Sequence, residues 1–153
     1  MFDIKIITIG KIKEKWIERG ILEYIKRLSP YAKIEIIELK SESFSSSNKQ
    51  KAVAIESARL EEALFKEKDS TIYFLDEYGD SLGSREFAYK LDKENGKIVF
   101  VIAGALGYNR EILKNKNLIS LSKLTFTHTM ARLILLEQIY RSVCILKDKE
   151  YHY

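Results

Sequence analysis

At 153 residues, 46% hydrophobic and 31% charged, the chain fits one domain with a substantial core, and no second domain is expected. No apolar run approaches the roughly 18 uncharged residues of a membrane span, and Asp3 and Lys5 interrupt the first apolar run, so neither a span nor a signal peptide is expected and the protein should stay in the cytoplasm. The net charge of +4 is concentrated at the ends: residues 1–33 hold eight Lys and Arg against four Asp and Glu, residues 34–120 thirteen against fifteen, and residues 121–153 five against three.

If the basic ends meet, they make a face suited to phosphate; from charge alone, solvated lysines on ordinary helices fit as well. The β-branched run from Phe2 to Ile9 stops at Gly10 and reads as a buried strand. Lys11, Lys13 and Lys15 crowd the following loop, either as a phosphate contact or as a solvated turn. Trp16, Ile17, Ile21, Leu22, Tyr24, Ile25 and Leu28 recur at helical spacing up to the stop at Pro30. Ile34 to Leu39 reads as a second strand, residues 40–50 as a polar, mobile, Ser-rich loop, and Lys51 to Phe65 as a helix.

Thr71 to Leu75 is the third expected strand, ending in an acidic turn, Asp76 to Asp80, where Gly79 could take a positive φ. Ser84 is the expected cap of a short helix that ends near Asn95-Gly96. A strand from Ile98 to Ala103, a helical turn from Asn109 to Leu113, a brief strand from Leu118 to Leu121 and a helix from about Thr129 to Leu146 complete the chain. Five strands, apolar on both faces and alternating with helices, predict an α/β fold: a mostly parallel sheet flanked by helices.

Ligands of such sheets bind beyond the carboxyl ends of the strands. Three ends are suggestive: Leu75 to Gly79, Ala103 to Gly107, and Leu121 to Phe126. The Gly-x-x-Gly at Gly104 to Gly107 is a binding loop or a common turn, and a helix start after it would offer free N–H groups. Neither a dinucleotide fingerprint nor a Walker lysine loop is present. Two histidines and one cysteine, at no recognised ligand spacing, give no support to a metal site, and a nucleophile elbow is missing. Cys144 reads as inert packing.

Leu133 to Leu136 make the last helix apolar on most sides, which points to burial against another subunit, with Arg132, Glu137 and Arg141 as polar groups near that interface. Glu137 and Arg141 are spaced as an i,i+4 pair, which a plain surface helix would also carry. The tail from Lys149 to Tyr153 is aromatic around His152. Either His152 acts as a base or donor and the tyrosines stack on a nucleobase, or the tail is a structural anchor.

Gly10 to Glu14, Phe100 to Gly107, Ser120 to His128, Glu137 to Arg141 and Tyr151-His152, in that order and spacing, resemble the H-type large-subunit ribosomal RNA methyltransferases, a family of the SPOUT class. The resemblance covers residues 1–153 as a single SPOUT domain. It implies a C-terminal trefoil knot, which periodicity could not have indicated. It also implies a homodimer that binds S-adenosyl-L-methionine and methylates N3 of a pseudouridine in 23S rRNA of the assembled ribosome. Cofactor contacts would fall on Leu75, Ala103, Gly104, Leu121, Ser122, Lys123, Leu124, Thr125 and Phe126. His152 and Arg141 would orient or deprotonate the base, with Tyr151 or Tyr140 stacking, the tail being the chain's own or the partner subunit's. Ala103 stands where the family usually has Gly, the smallest change available, and Thr127 where it has Pro. A non-catalytic ribosome-binding protein of the same fold is the alternative reading, and a flavodoxin-like carrier a more distant one.

Overall fold

The computed structural model describes residues 1–153. Five parallel strands lie in the order β2-β1-β4-β3-β5: β1 is Phe2–Ile9, β2 Ala32–Leu39, β3 Thr71–Ser81, β4 Lys97–Ile102 and β5 Asn117–Ser120. The helices are α1 (Lys15–Leu28), α2 (Lys49–Leu64), α3 (Ser84–Asp92) and α4 (His128–Leu146), with a 3-10 turn at Arg110–Leu113. The expected mostly parallel α/β sheet is therefore present.

Two-residue alternation divides the core between the faces of the sheet. Ile4, Ile6, Tyr73, Ile98 and Phe100 pack toward Ile17 and Ile21 of α1, Phe87 and Leu91 of α3, and Leu135, Leu136 and Ile139 of α4. Ile7, Ile9, Phe74, Val99 and Val101 face Leu60 of α2 together with Tyr108, Ile112 and Leu113. The central pair, β1 and β4, leads outward in opposite directions, to β2 and to β5, so a crevice opens between their carboxyl ends.

Three expectations are corrected. The acidic turn at Asp76–Asp80 is a continuation of β3, with a register shift between Leu75 and Asp80 against β5. Gly79 has no positive φ; a Cβ there would lie 2.6 Å from the Leu118 carbonyl carbon, so glycine serves close approach of two strands. Gly83, not Ser84, is the N-cap of α3, and Ser84 Oγ donates to Gln138 Oε1 (2.8 Å).

A further correction concerns α4. Much of the burial that its apolar sequence suggested against a second subunit is supplied inside the chain by α1, α3 and the sheet. Arg132 is 1% exposed and points inward: Nη1 donates to Glu38 (2.6 Å), and Nη2 to Thr8 Oγ1 (2.9 Å) and the Gly10 carbonyl (3.2 Å). A guanidinium spreads its donors over several acceptors, and the ends of β1 and β2 offer them here. Cys144 is buried and unpaired.

Candidate active site

A cavity of about 610 Å³ lies beyond the carboxyl ends of β3, β4 and β5, within the size range of small-molecule sites. Leu75, Ala103, Gly104, Leu121, Ser122, Leu124, Thr125 and Phe126 line it; Lys123 points out to solvent. The fold brings eight of the nine residues that the resemblance implies as contacts to the wall of this cavity.

Local hydrogen bonds shape each wall. The 121–126 loop turns on Ser122: Ser120 Oγ donates to the Ser122 carbonyl (2.8 Å), and the Leu124 amide donates to Ser122 Oγ (3.0 Å). Thr125 Oγ1 donates to Glu77 (2.8 Å), which ties this loop to the extension of β3. The second wall closes where Gly107, at φ 79°, lets its amide reach the Gly104 carbonyl (3.1 Å). The buried Tyr108 hydroxyl then donates to the Val101 carbonyl (2.7 Å), folding the turn back on β4, and burial holds its ionisation well above the usual tyrosine range.

The expected helix start after Gly107 offers few free amides. Asn109 Oδ1 accepts from the Glu111 amide (3.2 Å), and the Asn109 amide donates to Ser57 Oγ (2.9 Å). Further charged and titratable groups line the cavity beside the expected contacts. Glu14, Asp76, Glu77, Arg110 and His128 all face the cavity, and Arg110 pairs with Asp76 at 2.5 Å. Asp76 and Glu77 carried a signal as a strand end; Arg110 and His128 open the 3-10 turn and α4, and the paths of the loops that bring those starts to the cavity are not fixed by the sequence.

His128 is the first residue of α4, after the cap Thr127, whose hydroxyl accepts from the Met130 amide (3.3 Å). Burial chiefly, then the Arg132 charge, lowers its pKa below the ordinary histidine value, against a raising effect of Glu14.

The residues expected to act on the base cluster elsewhere. Arg141 pairs with Glu137 (2.5 Å), and its Nη1 lies 3.4 Å from the Tyr151 carbonyl and 3.4 Å from His152 Nδ1. Its guanidinium covers the Tyr151 ring at 4.7 Å, and the Glu137 carboxylate raises its pKa. The Tyr151 hydroxyl reaches Glu137 (3.1 Å) and Tyr24 (3.0 Å), while its ring meets Tyr140 edge-on at 4.9 Å. The thirteen residue steps of helix from His128 to Arg141 separate this cluster from the cavity by roughly 20 Å. Within one chain, cavity and cluster do not meet. No group of three or more His, Cys, Asp or Glu side chains is placed to hold a metal ion.

Comparison with known proteins bears on this geometry. A family model described as "Predicted SPOUT methyltransferase" matches residues 2–152. The chain is 38% identical to a ribosomal RNA large subunit methyltransferase H of Carboxydothermus hydrogenoformans and 40% identical to one of Bacillus thuringiensis; each match covers 98% of this chain and 99% of the relative. A solved structure of a probable methylase family protein from Haemophilus influenzae superposes with a TM-score of 0.57 at 14% identity, over 98% of this chain and 70% of that one.

Proposed function

The chain belongs to the SPOUT methyltransferases, in the family of the ribosomal RNA large subunit methyltransferases H, and from that membership we propose that it methylates N3 of a pseudouridine in 23S rRNA of the assembled ribosome, as a cytoplasmic homodimer using S-adenosyl-L-methionine. One observation carries the reading: a cavity walled by three strand-end loops, held open by their own hydrogen bonds, at the positions where the family resemblance expects the cofactor.

The residues present suit that cofactor. Backbone of the Leu75, Ala103–Gly107 and Leu121–Phe126 segments can pair with an adenine edge and a ribose, and Glu14, Asp76 and Glu77 set negative charge around a cationic sulfonium. The Ala103 methyl leaves backbone groups free to bind. When bound, S-adenosyl-L-methionine supplies the methyl group: the new N–C bond forms as the S–C bond breaks, and the sulfur leaves as a neutral thioether.

For the chain's own residues, the task is to hold the acceptor nitrogen in line and remove its proton. Arg141 and His152 orient or deprotonate the imide, and Tyr151 or Tyr140 stacks on the displaced base. Because that cluster is remote from its own cavity, a second copy must bring its tail to this one, and the active site is then shared between protomers. Trp16, 57% exposed on α1, offers an apolar contact for that copy. Lys11, Lys13 and Lys15 hold rRNA phosphates. The passage of the chain from edge strand β5 to α4, whose Arg132 reaches back to β1, supports a trefoil knot.

Labelled S-adenosyl-L-methionine is incubated with 70S ribosomes lacking the modification, and the labelled nucleotide is mapped. A single methylated pseudouridine is expected. Ribosome binding without methyl transfer, and no calorimetric heat with the cofactor, would instead identify a non-catalytic ribosome-binding protein.

A further inference from the structure

His128 is the one imidazole at the cavity. It stands at the crevice between the carboxyl ends of β1 and β4. Its Nε2 lies 3.9 Å from the point a Cβ on Gly10 would occupy, with Ser41 Oγ 3.8 Å from the same point. Gly10 opens the loop of Lys11, Lys13 and Lys15, so the ring lies between the cavity and the segment proposed to hold phosphate. A nucleotide gripped there and inserted toward the cavity passes this ring. Both ring nitrogens lack a partner in the chain, and neither is sealed from solvent as Arg132 Nε is.

The groups around the ring fix its state. From its own helix Arg132 approaches, its charge shared with Glu38 of β2; from the loop before α1 comes Glu14. Burial and Arg132 favour the neutral ring, as does its place in the first turn of α4, where the helix dipole opposes positive charge. A neutral imidazole adds no cation beside a sulfonium, yet keeps one N–H to donate.

We propose that His128 is a catalytic residue whose neutral imidazole donates a hydrogen bond to a carbonyl oxygen of the acceptor imide. This rests on the methyltransferase reading above. When the imide nitrogen gives its proton to a base of the tail or to water, negative charge spreads from nitrogen onto the flanking carbonyl oxygens. A fixed donor at one of them lowers the cost of that charge without quenching the nitrogen lone pair that takes the methyl. The arrangement is an oxyanion-type donor, for which loss of one hydrogen bond costs about 10²–10³ in kcat.

The test compares wild type with His128→Phe, which keeps a ring and loses the donor, and His128→Gln, which keeps an N–H at similar reach. Ribosome methylation gives kcat and KM, calorimetry gives the S-adenosyl-L-methionine Kd, and proton NMR of the two histidines follows ring ionisation. A kcat lower by about 10²-fold or more in His128→Phe, partial recovery in His128→Gln, cofactor Kd within about threefold of wild type, and a His128 ring titrating below the ordinary histidine value support the proposal. Wild-type kcat in His128→Phe overturns it while leaving the methyltransferase reading intact. A cofactor Kd raised in proportion to the loss of kcat also overturns it, assigning the ring to the cofactor. No methylation by wild type, with cofactor still bound, overturns both.

Discussion

At the scale of single residues, the molecule buries one carboxylate without a full set of partners. Glu56 is 5% exposed; its Oε2 accepts from the Glu42 amide (3.0 Å), while Oε1 lies 2.8 Å from where a Cβ on Gly104 would sit. Arg59, paired with Glu42 at 2.5 Å, gives some compensation, but burial dominates and raises the Glu56 pKa. A carboxyl whose folded pKa is raised contributes its stabilisation below the unfolded value near 4.5 and loses it as pH rises through the folded one. Glu56→Gln keeps the acceptor for Glu42 and removes the buried charge. Its Tm should therefore exceed wild type at pH 7 by roughly 2–4 °C, the shift that ~1 kcal/mol produces in a chain of this length, and the gain should vanish toward pH 4. Thermal unfolding by circular dichroism across that range decides; an equal gain at both ends would show that charge is not its source. Gly104 itself is explained by the same contact, since a side chain there would meet Glu56 and, at 3.0 Å, Ile9.

At the scale of elements, β3 couples the sheet to the cavity. Its extension past Leu75 supplies Asp76 and Glu77 to the wall, and its second pairing with β5 at Asp80 and Ser81 depends on close approach at Gly79. In Gly79→Ala the new methyl meets backbone atoms of Leu118 and Ile119, which cannot rotate away. A stability loss of about 1–3 kcal/mol in urea unfolding is expected. Displacement of β5 should also weaken cofactor binding by calorimetry more than a core variant of equal stability loss, such as Val143→Ala on α4. The same element shows what the sequence conveyed and what it did not. Alternating or continuous apolar runs located all five strands and all four helices, because burial on two faces leaves a periodic record. Asp76 to Asp80 has the composition of a turn, and only the distant pairing of Asp80 and Ser81 with Ile119 and Ser120 makes it strand. Arg132 was legible as a charge in an apolar helix; that it is buried against Thr8 and Gly10 depends on a tertiary crossing of 124 residues that no local pattern records. The loops that wall the cavity were legible because strand ends are where open sheets form pockets.

At the scale of the whole molecule, α4 spans the distance between the cavity and the tail cluster. Its first turn lines the cavity, and its last third, with Arg141, carries the tail cluster. The helix is held rigidly by Arg132 and by packing on α1 and α3, so bending it cannot join the two ends. In the proposed homodimer two-fold symmetry solves the problem, since a tail that reaches the partner's cavity is matched by one coming back. Two variants separate cavity from tail. Ala105→Trp places a large ring in the cavity from an exposed position, and Arg141→Ala removes the cation of the tail. Each homodimer should be inactive, because every site then contains either a filled cavity or a crippled tail. Unfolded together and refolded at equal amounts, half of the dimers are mixed, and each has one site built from an intact cavity and an intact tail. Methylation should return to about a quarter of the wild-type rate by this symmetry count. Mixed dimers isolated with two different affinity tags and lacking activity would show that cavity and tail act within one chain, and the shared site would have to be abandoned.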